Sequence, residues 1–172
     1  TYADAGVCVY VKAHGRAGNR GAAGRRRHDI KRKERHETMM DARKKPELLL
    51  PAGSLEVLKI AVNYGADAVY IGGEAFGLRA KAKNFSLEDM AKGIAFAHKR
   101  GVKIYVTANI LAHNSDLDGA KTYFQELKRL KPDALIISDP GMFLLAKEIC
   151  PELEIHISTQ ANNTNYQTYL FW

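Results

Sequence analysis

The sequence predicts an α/β protein built on a parallel sheet of the (β/α) TIM-barrel type, carrying the N-terminal half of such a barrel. Three observations predict it. Short apolar runs alternate regularly with stretches of helical length from residue 46 onward, and strands separated by helices of about 10–15 residues read as βαβ units. No turn carries the GxGxxG spacing of a dinucleotide-binding sheet. The alternation stops near five strands, whereas a closed barrel takes eight and typically about 250 residues.

The elements follow in order. ELLL (47–50) is the first strand and ends in Pro51-Ala52-Gly53. Residues 54–64 read as a helix, with Ser54 at its N-cap and Gly65 as its stop. DAVYI (67–71) is the second strand, closed by Gly72-Gly73. Ser86 and Asp89 give the Ser-x-x-Asp cap of a helix that buries Met90, Ile94 and Ala97 and ends at Gly101. VKIYVTA (102–108) is the third strand. Ser115 and Asp118 repeat the cap pattern ahead of a helix lined by Leu117, Phe124 and Leu127. ALIIS (134–138) is the fourth strand, and Asp139-Pro140 is a favoured helix start. EIHIS (154–158) is the fifth.

Residues 1–45 differ in character. They hold 13 Lys/Arg against 5 Asp/Glu, while 46–172 hold 13 against 14. The +7 net charge therefore belongs to the leader. Its Gly/Ala/Arg composition predicts disorder. Three readings compete for it: an arm that contacts nucleic acid through its arginines and lysines, a solvated tail, and a stretch that is not native protein, upstream of a true start at Met39 or Met40. The last is preferred. No apolar run reaches the roughly 20 residues of a membrane helix and no signal-peptide pattern stands at the N-terminus, so a cytoplasmic location is expected. Cys8 and Cys150 show no metal spacing. No metal site or cofactor is evident in this segment.

Alternation along the strands sorts their side chains. Val102, Ile104 and Val106 share one face of the third strand, while Tyr105, Thr107 and Asn109 share the other. Ile155 and Ile157 oppose Glu154, His156 and Ser158, with Gln160 in phase if the strand continues. The apolar faces suit helices. The polar ones then point into the barrel, and the strand ends offer Tyr70, Asn109, Asp139, Ser158, Thr159 and Gln160 to an active-site mouth. Asn109, Asp139, His156, Ser158 and Gln160 are the candidate catalytic residues. Each has a plainer duty to set against that role. Asp139 fits a helix cap, His156 a satisfied core histidine, and Gly72-Gly73 a simple turn. His156 and Ser158 lie on one strand face like a base and its nucleophile, but no acid stands ready to orient the histidine. Asn109 and Gln160 are the strongest candidates.

The segments ELLLPAGSLEVLKIAVNYGADAVYIGG (47–73), FGLRAKAKNFSLEDM (76–90), ANIL (108–111), ALIISDPG (134–141) and HISTQANNTN (156–165) resemble the start of the collagenase-like peptidase family, peptidase family U32. The resemblance covers about 46–172. It implies peptide-bond hydrolysis by an unassigned mechanism as the main expectation. The alternative it implies is RNA-base hydroxylation, on transfer RNA or ribosomal RNA, since several members belong to hydroxylation pathways for those bases or for ubiquinone precursors. A third reading is a nucleic-acid-binding module using the leader. The family's cysteine signature has no match in this chain, so an iron–sulfur cluster is expected only from a part of the barrel protein beyond it. The resemblance also covers Arg79, which joins Tyr70, Asn109 and Gln160 as a candidate for binding a peptide or RNA substrate. A half-barrel alone is expected to be inactive and poorly stable.

Overall fold

The computed structural model describes residues 46–77 and 84–172. The leader and Arg79, with the expectations attached to them, lie outside the described residues. Five strands form one sheet: β1 (Leu49–Ala52), β2 (Ala68–Gly72), β3 (Lys103–Thr107), β4 (Ala134–Ile137) and β5 (Glu154–Ile157). Between them run α1 (Leu55–Asn63), α2 (Leu87–His98), α3 (Asn114–Leu130) and α4 (Pro140–Ile149). A single 3₁₀ turn, Thr159–Ala161, and a short α5 (Tyr166–Phe171) follow β5. All pairings are parallel and the spatial order is β1-β2-β3-β4-β5.

The distribution of the core fixes the architecture. Val69, Ile71, Ile104, Val106, Leu135 and Ile137 face one way and pack on Leu58, Ala61, Ile94, Phe124, Leu127, Met142 and Ala146 of the four helices. The opposite face carries a separate cluster of strand residues, Ala68, Tyr105, Ala134 and Ile136, with Leu49 and Tyr70 against it. A doubly wound sheet has helices on both faces. Here sequential order and helices on one face only make the sheet a barrel-type wall. The inner face is less polar than expected. Alanines on β2 and β4 leave room for Tyr70 and Tyr105, which lie opposite each other in register, so Tyr105 is buried rather than wetted.

Several local expectations shift. β1 begins two residues late and takes in Pro51. Pro51 lies in register with Tyr70 of β2, in the first strand of the described sheet. Ser54 and Ser86 cap α1 and α2, accepting from the N–H groups of Val57 (3.3 Å) and Asp89 (3.1 Å). Gly65 and Gly101, at φ +93° and +71°, take the left-handed conformations that let the chain leave α1 and α2. The third cap is not Ser115. α3 starts at Asn114, and Asp116 reaches back to accept from the His113 N–H at 2.8 Å, while Asp118 pairs with Lys121 on the surface. The fifth strand stops at Ile157. Gln160 is therefore in the 3₁₀ turn, out of phase with His156.

The end of the sheet where the strands begin is pinned by two aspartates. Asp67 accepts from the Leu48 N–H (2.8 Å), and Asp133 accepts from the Ile104 N–H (2.7 Å) while its Oδ2 also lies 2.9 Å from His98 Nε2. Each sits one residue before a strand and serves the strand preceding it in the sheet. An unmet N–H at a part-buried strand start costs about 1–3 kcal/mol. Asp133→Ala is expected to destabilise the protein by that amount in urea unfolding, whereas Asp118→Ala, on the exposed face of α3, should stay within about 0.5 kcal/mol of the parent.

Candidate functional site

The other end of the sheet, where the strands finish, collects the polar groups. Asn109 follows β3, Ser138 and Asp139 follow β4, and Ser158 to Gln160 follow β5. Hydrogen bonds link these neighbouring ends. The Ala108 N–H donates to the Ile136 carbonyl (2.9 Å), the Ser138 hydroxyl to the Asn109 carbonyl (3.0 Å), and the Ser158 N–H to the Ile137 carbonyl (2.8 Å). The backbone at Asn109 is thus tied down through its carbonyl, and its half-buried side-chain amide remains for other work. Gly65, Gly101 and Pro132, which precede strands, lie at the opposite end. Tyr70 belongs to neither end. It sits mid-strand, in register with Pro51 and Tyr105, as part of the inner wall.

Three candidates have structural duties. Asp139 caps α4 by accepting from the Met142 N–H at 2.9 Å. Ser158, almost fully buried, caps the 3₁₀ turn by accepting from the Gln160 N–H at 3.4 Å. It makes no hydrogen bond to His156, so no nucleophile–base pair is assembled. His156 meets the Tyr105 ring edge-on, with centroids 4.7 Å apart, and its Nε2 lies 3.9 Å from Glu154 Oε2. Gln160 is exposed at the rim.

Two residues passed over in the sequence matter here. Ser138 locks the end of β3 to the end of β4. Tyr123, on α3, packs its ring 5.3 Å from that of Phe76 and carries its hydroxyl to the end of β2. That hydroxyl is buried with no hydrogen-bond partner among the described residues, and burial pushes its ionisation well above the usual phenol range. It explains Gly73: a Cβ there would strike the Tyr123 hydroxyl and come within 2.8 Å of Met90 Cε. A side chain at Gly73 has no room because helix side chains occupy its flank. Tyr123 stands at helical spacing with Ala120 and Leu127 on the buried stripe of α3, but its contact with the end of β2 has no counterpart in that spacing.

Among the described residues no cluster of three or more His, Cys, Asp or Glu side chains could hold a metal ion. An iron–sulfur cluster needs several thiolates, and the one described cysteine does not fit that need. Cys150 is buried at the end of α4, donates to the Ala146 carbonyl (3.2 Å), and is pushed up to about 11 by burial and by Glu152. No described helix is long and apolar enough to cross a membrane.

The model of peptidase family U32 matches residues 53–172, more than half of the chain. The chain belongs to peptidase family U32. Among its curated relatives in that family, "tRNA hydroxylation protein P1" of Bacillus subtilis is 50% identical over 129 residues, covering 75% of this chain and 31% of the relative. "tRNA hydroxylation protein P" of Escherichia coli is 47% identical over 131 residues, 74% of this chain and 28% of the relative. The "23S rRNA 5-hydroxycytidine C2501 synthase" of Escherichia coli is 43% identical over 116 residues, 67% and 17%. This U32 chain therefore spans less than a third of the length of these relatives. They correct the main functional expectation. The family label pointed to peptide-bond hydrolysis, but these relatives are named for hydroxylation of RNA, and the Ser158–His156 arrangement supplies no peptidase nucleophile.

Two measurements check this geometry. Gly73→Ala should cost about 1–3 kcal/mol of stability through displacement of Tyr123, read by thermal unfolding. The Cys150 thiol, held protonated at neutral pH, should resist iodoacetamide at pH 8 until the protein is unfolded. The sign follows from its raised ionisation: the protonated thiol's contribution to stability is complete below the unfolded thiol's value and is lost as pH rises through about 11.

Proposed function

We propose that this U32 chain supplies one part of the substrate-binding wall of an enzyme that hydroxylates a base in transfer RNA. The observation that carries the reading is the 47–50% identity to relatives named tRNA hydroxylation proteins. The polar rim is compatible with it. Hydroxylation adds one oxygen to a base carbon, and the base must be held still while that happens. Amide side chains offer a donor and an acceptor side by side, which suits the edge of a nucleobase. Asn109, anchored through its own carbonyl and half-buried at the end of β3, is the residue to which we assign the orienting of such a base, with Gln160 beyond the end of β5. Binding and orientation are the work assigned to these residues, and a transfer-RNA substrate implies a cytoplasmic setting.

The test is nucleoside mass spectrometry of transfer RNA from cells with and without the complete gene. The expected result is loss of a nucleoside carrying one added oxygen, restored by the intact gene. Asn109→Ala should restore it about tenfold less effectively, the loss expected for one amide-to-base contact. Unchanged transfer-RNA nucleosides on deletion would overturn the reading.

A further inference from the structure

Residues 155–172 contain no Asp, Glu, Lys or Arg. Within them stand five amides, Gln160, Asn162, Asn163, Asn165 and Gln167, and four aromatic rings, Tyr166, Tyr169, Phe171 and Trp172. Both ends of the segment are anchored on the same side of the sheet. At its start the Ser158 N–H is bonded to Ile137 at the end of β4. At its close Trp172 packs edge-on against Phe143, in the first turn of α4, with centroids 5.5 Å apart. The segment therefore lies along the rim where the strands finish.

The turn itself is fixed. Ser158 caps it, the Asn162 N–H donates to the Thr159 carbonyl (3.1 Å), and the Thr164 N–H to the Asn162 carbonyl (2.8 Å). Asn162 holds a left-handed φ of +50°. The Asn165 side chain is occupied in capping α5 through the Thr168 N–H. The others are not so employed. Gln160 and Asn162 are exposed. The Asn163 Oδ1 is shut off from water with no donor among the described residues, and turning the amide over would put an unmet N–H group in its place. Tyr166 is 71% exposed, and no ring contact among the described residues engages it.

We propose that Thr159–Tyr166 is a base-reading surface for an unstacked nucleobase of single-stranded RNA, with the amides of Gln160, Asn162 and Asn163 hydrogen-bonding its edge and Tyr166 offering a ring to stack on. This deepens the transfer-RNA reading and rests on it. Without lysine or arginine the segment offers no charge to neutralise a phosphate. Amides and rings together suit a base, whose edge presents donors and acceptors and whose faces stack on aromatic side chains. The Asn163 side chain, on a part-exposed residue, must turn outward for its covered Oδ1 to accept from the exocyclic amine or ring N–H of such a base.

The test uses the complete gene product and unfractionated transfer RNA, with affinity measured by fluorescence anisotropy at several salt concentrations. Gln160→Ala, Asn162→Gly, Asn163→Leu and Tyr166→Ala should each weaken binding about tenfold. Glycine preserves the left-handed backbone at 162, and Tyr166→Phe should restore the stacking. The slope of log affinity against log salt should not change, because no phosphate contact is lost. Parental affinity in all four variants would overturn the proposal. So would a slope lowered by about one, the mark of a lost phosphate contact. Should Asn163→Leu fail to fold, Gln160→Ala and Tyr166→Ala, at exposed positions, carry the decision. A parent protein that modifies transfer RNA while the variants bind it equally well sinks this proposal alone; a parent that neither binds nor modifies RNA sinks the reading beneath it as well.

Discussion

The constraint on which everything else depends is the parallel ladder taken in sequence order. Each strand pairs with the next in the chain, so each connection must carry the chain back along the outside, and the uniform hand of such crossovers places every helix on one face. That face then becomes the main core, where Leu58, Phe124, Leu127 and Met142 meet the strands. The other face receives no helix and must be filled by the strands themselves. Ala68 and Ala134 beside Tyr70 and Tyr105 are the solution: small residues on β2 and β4 make room for large rings on β2 and β3. His156 extends the same layer by meeting Tyr105 edge-on.

The ladder also divides the two ends of the sheet by duty. At the starting end, Asp67 and Asp133 are bound to backbone N–H groups of the neighbouring strand, and their carboxylates have little left to give a substrate. At the finishing end, backbone and hydroxyl groups bond to one another, through Ser138 to Asn109 and Ser158 to Ile137, and so leave the amides of Asn109, Gln160 and Asn163 outside that network. Rigid backbone with spare side-chain hydrogen-bonding capacity is what binding needs. Barrel enzymes likewise place function at the finishing end.

The fold was legible because its signals are local. Caps at Ser54 and Ser86, stops at Gly65 and Gly101 and the alternation on β3 each depend on a few neighbouring residues, and each appears as read. The errors arose where two local signals competed. Ser115-x-x-Asp118 and His113-x-x-Asp116 overlap, and only the second places an acid within reach of the chain as it enters α3. Pro51 reads as a terminator, yet β1 continues through it to Ala52. The site was less legible. Asp139 and Ser158 were chosen because they are polar residues at strand ends, and capping uses the same residue types in the same places. Tyr123 escaped because contact between a helix and a distant glycine leaves no spacing in the sequence.

The functional error has a different origin. A barrel-type wall carries many chemistries, and nothing in its strands or helices distinguishes hydrolysis of a peptide from hydroxylation of a base. What distinguishes them is the composition of the rim. A serine peptidase must hold a base against its nucleophile, and here the Ser158 oxygen faces a backbone N–H while His156 packs against a ring. Recognition of a base makes a weaker demand: amides, rings and little charge nearby, positioned by a backbone that does not move. Residues 155–172 meet it in composition, and the hydrogen bonds of the turn at 158–164 meet it in rigidity. On the proposed reading, that absence of charge is the sequence's pointer to base recognition, which a search for catalytic motifs passes over because it looks for residues that react and not for surfaces from which reactive groups are missing.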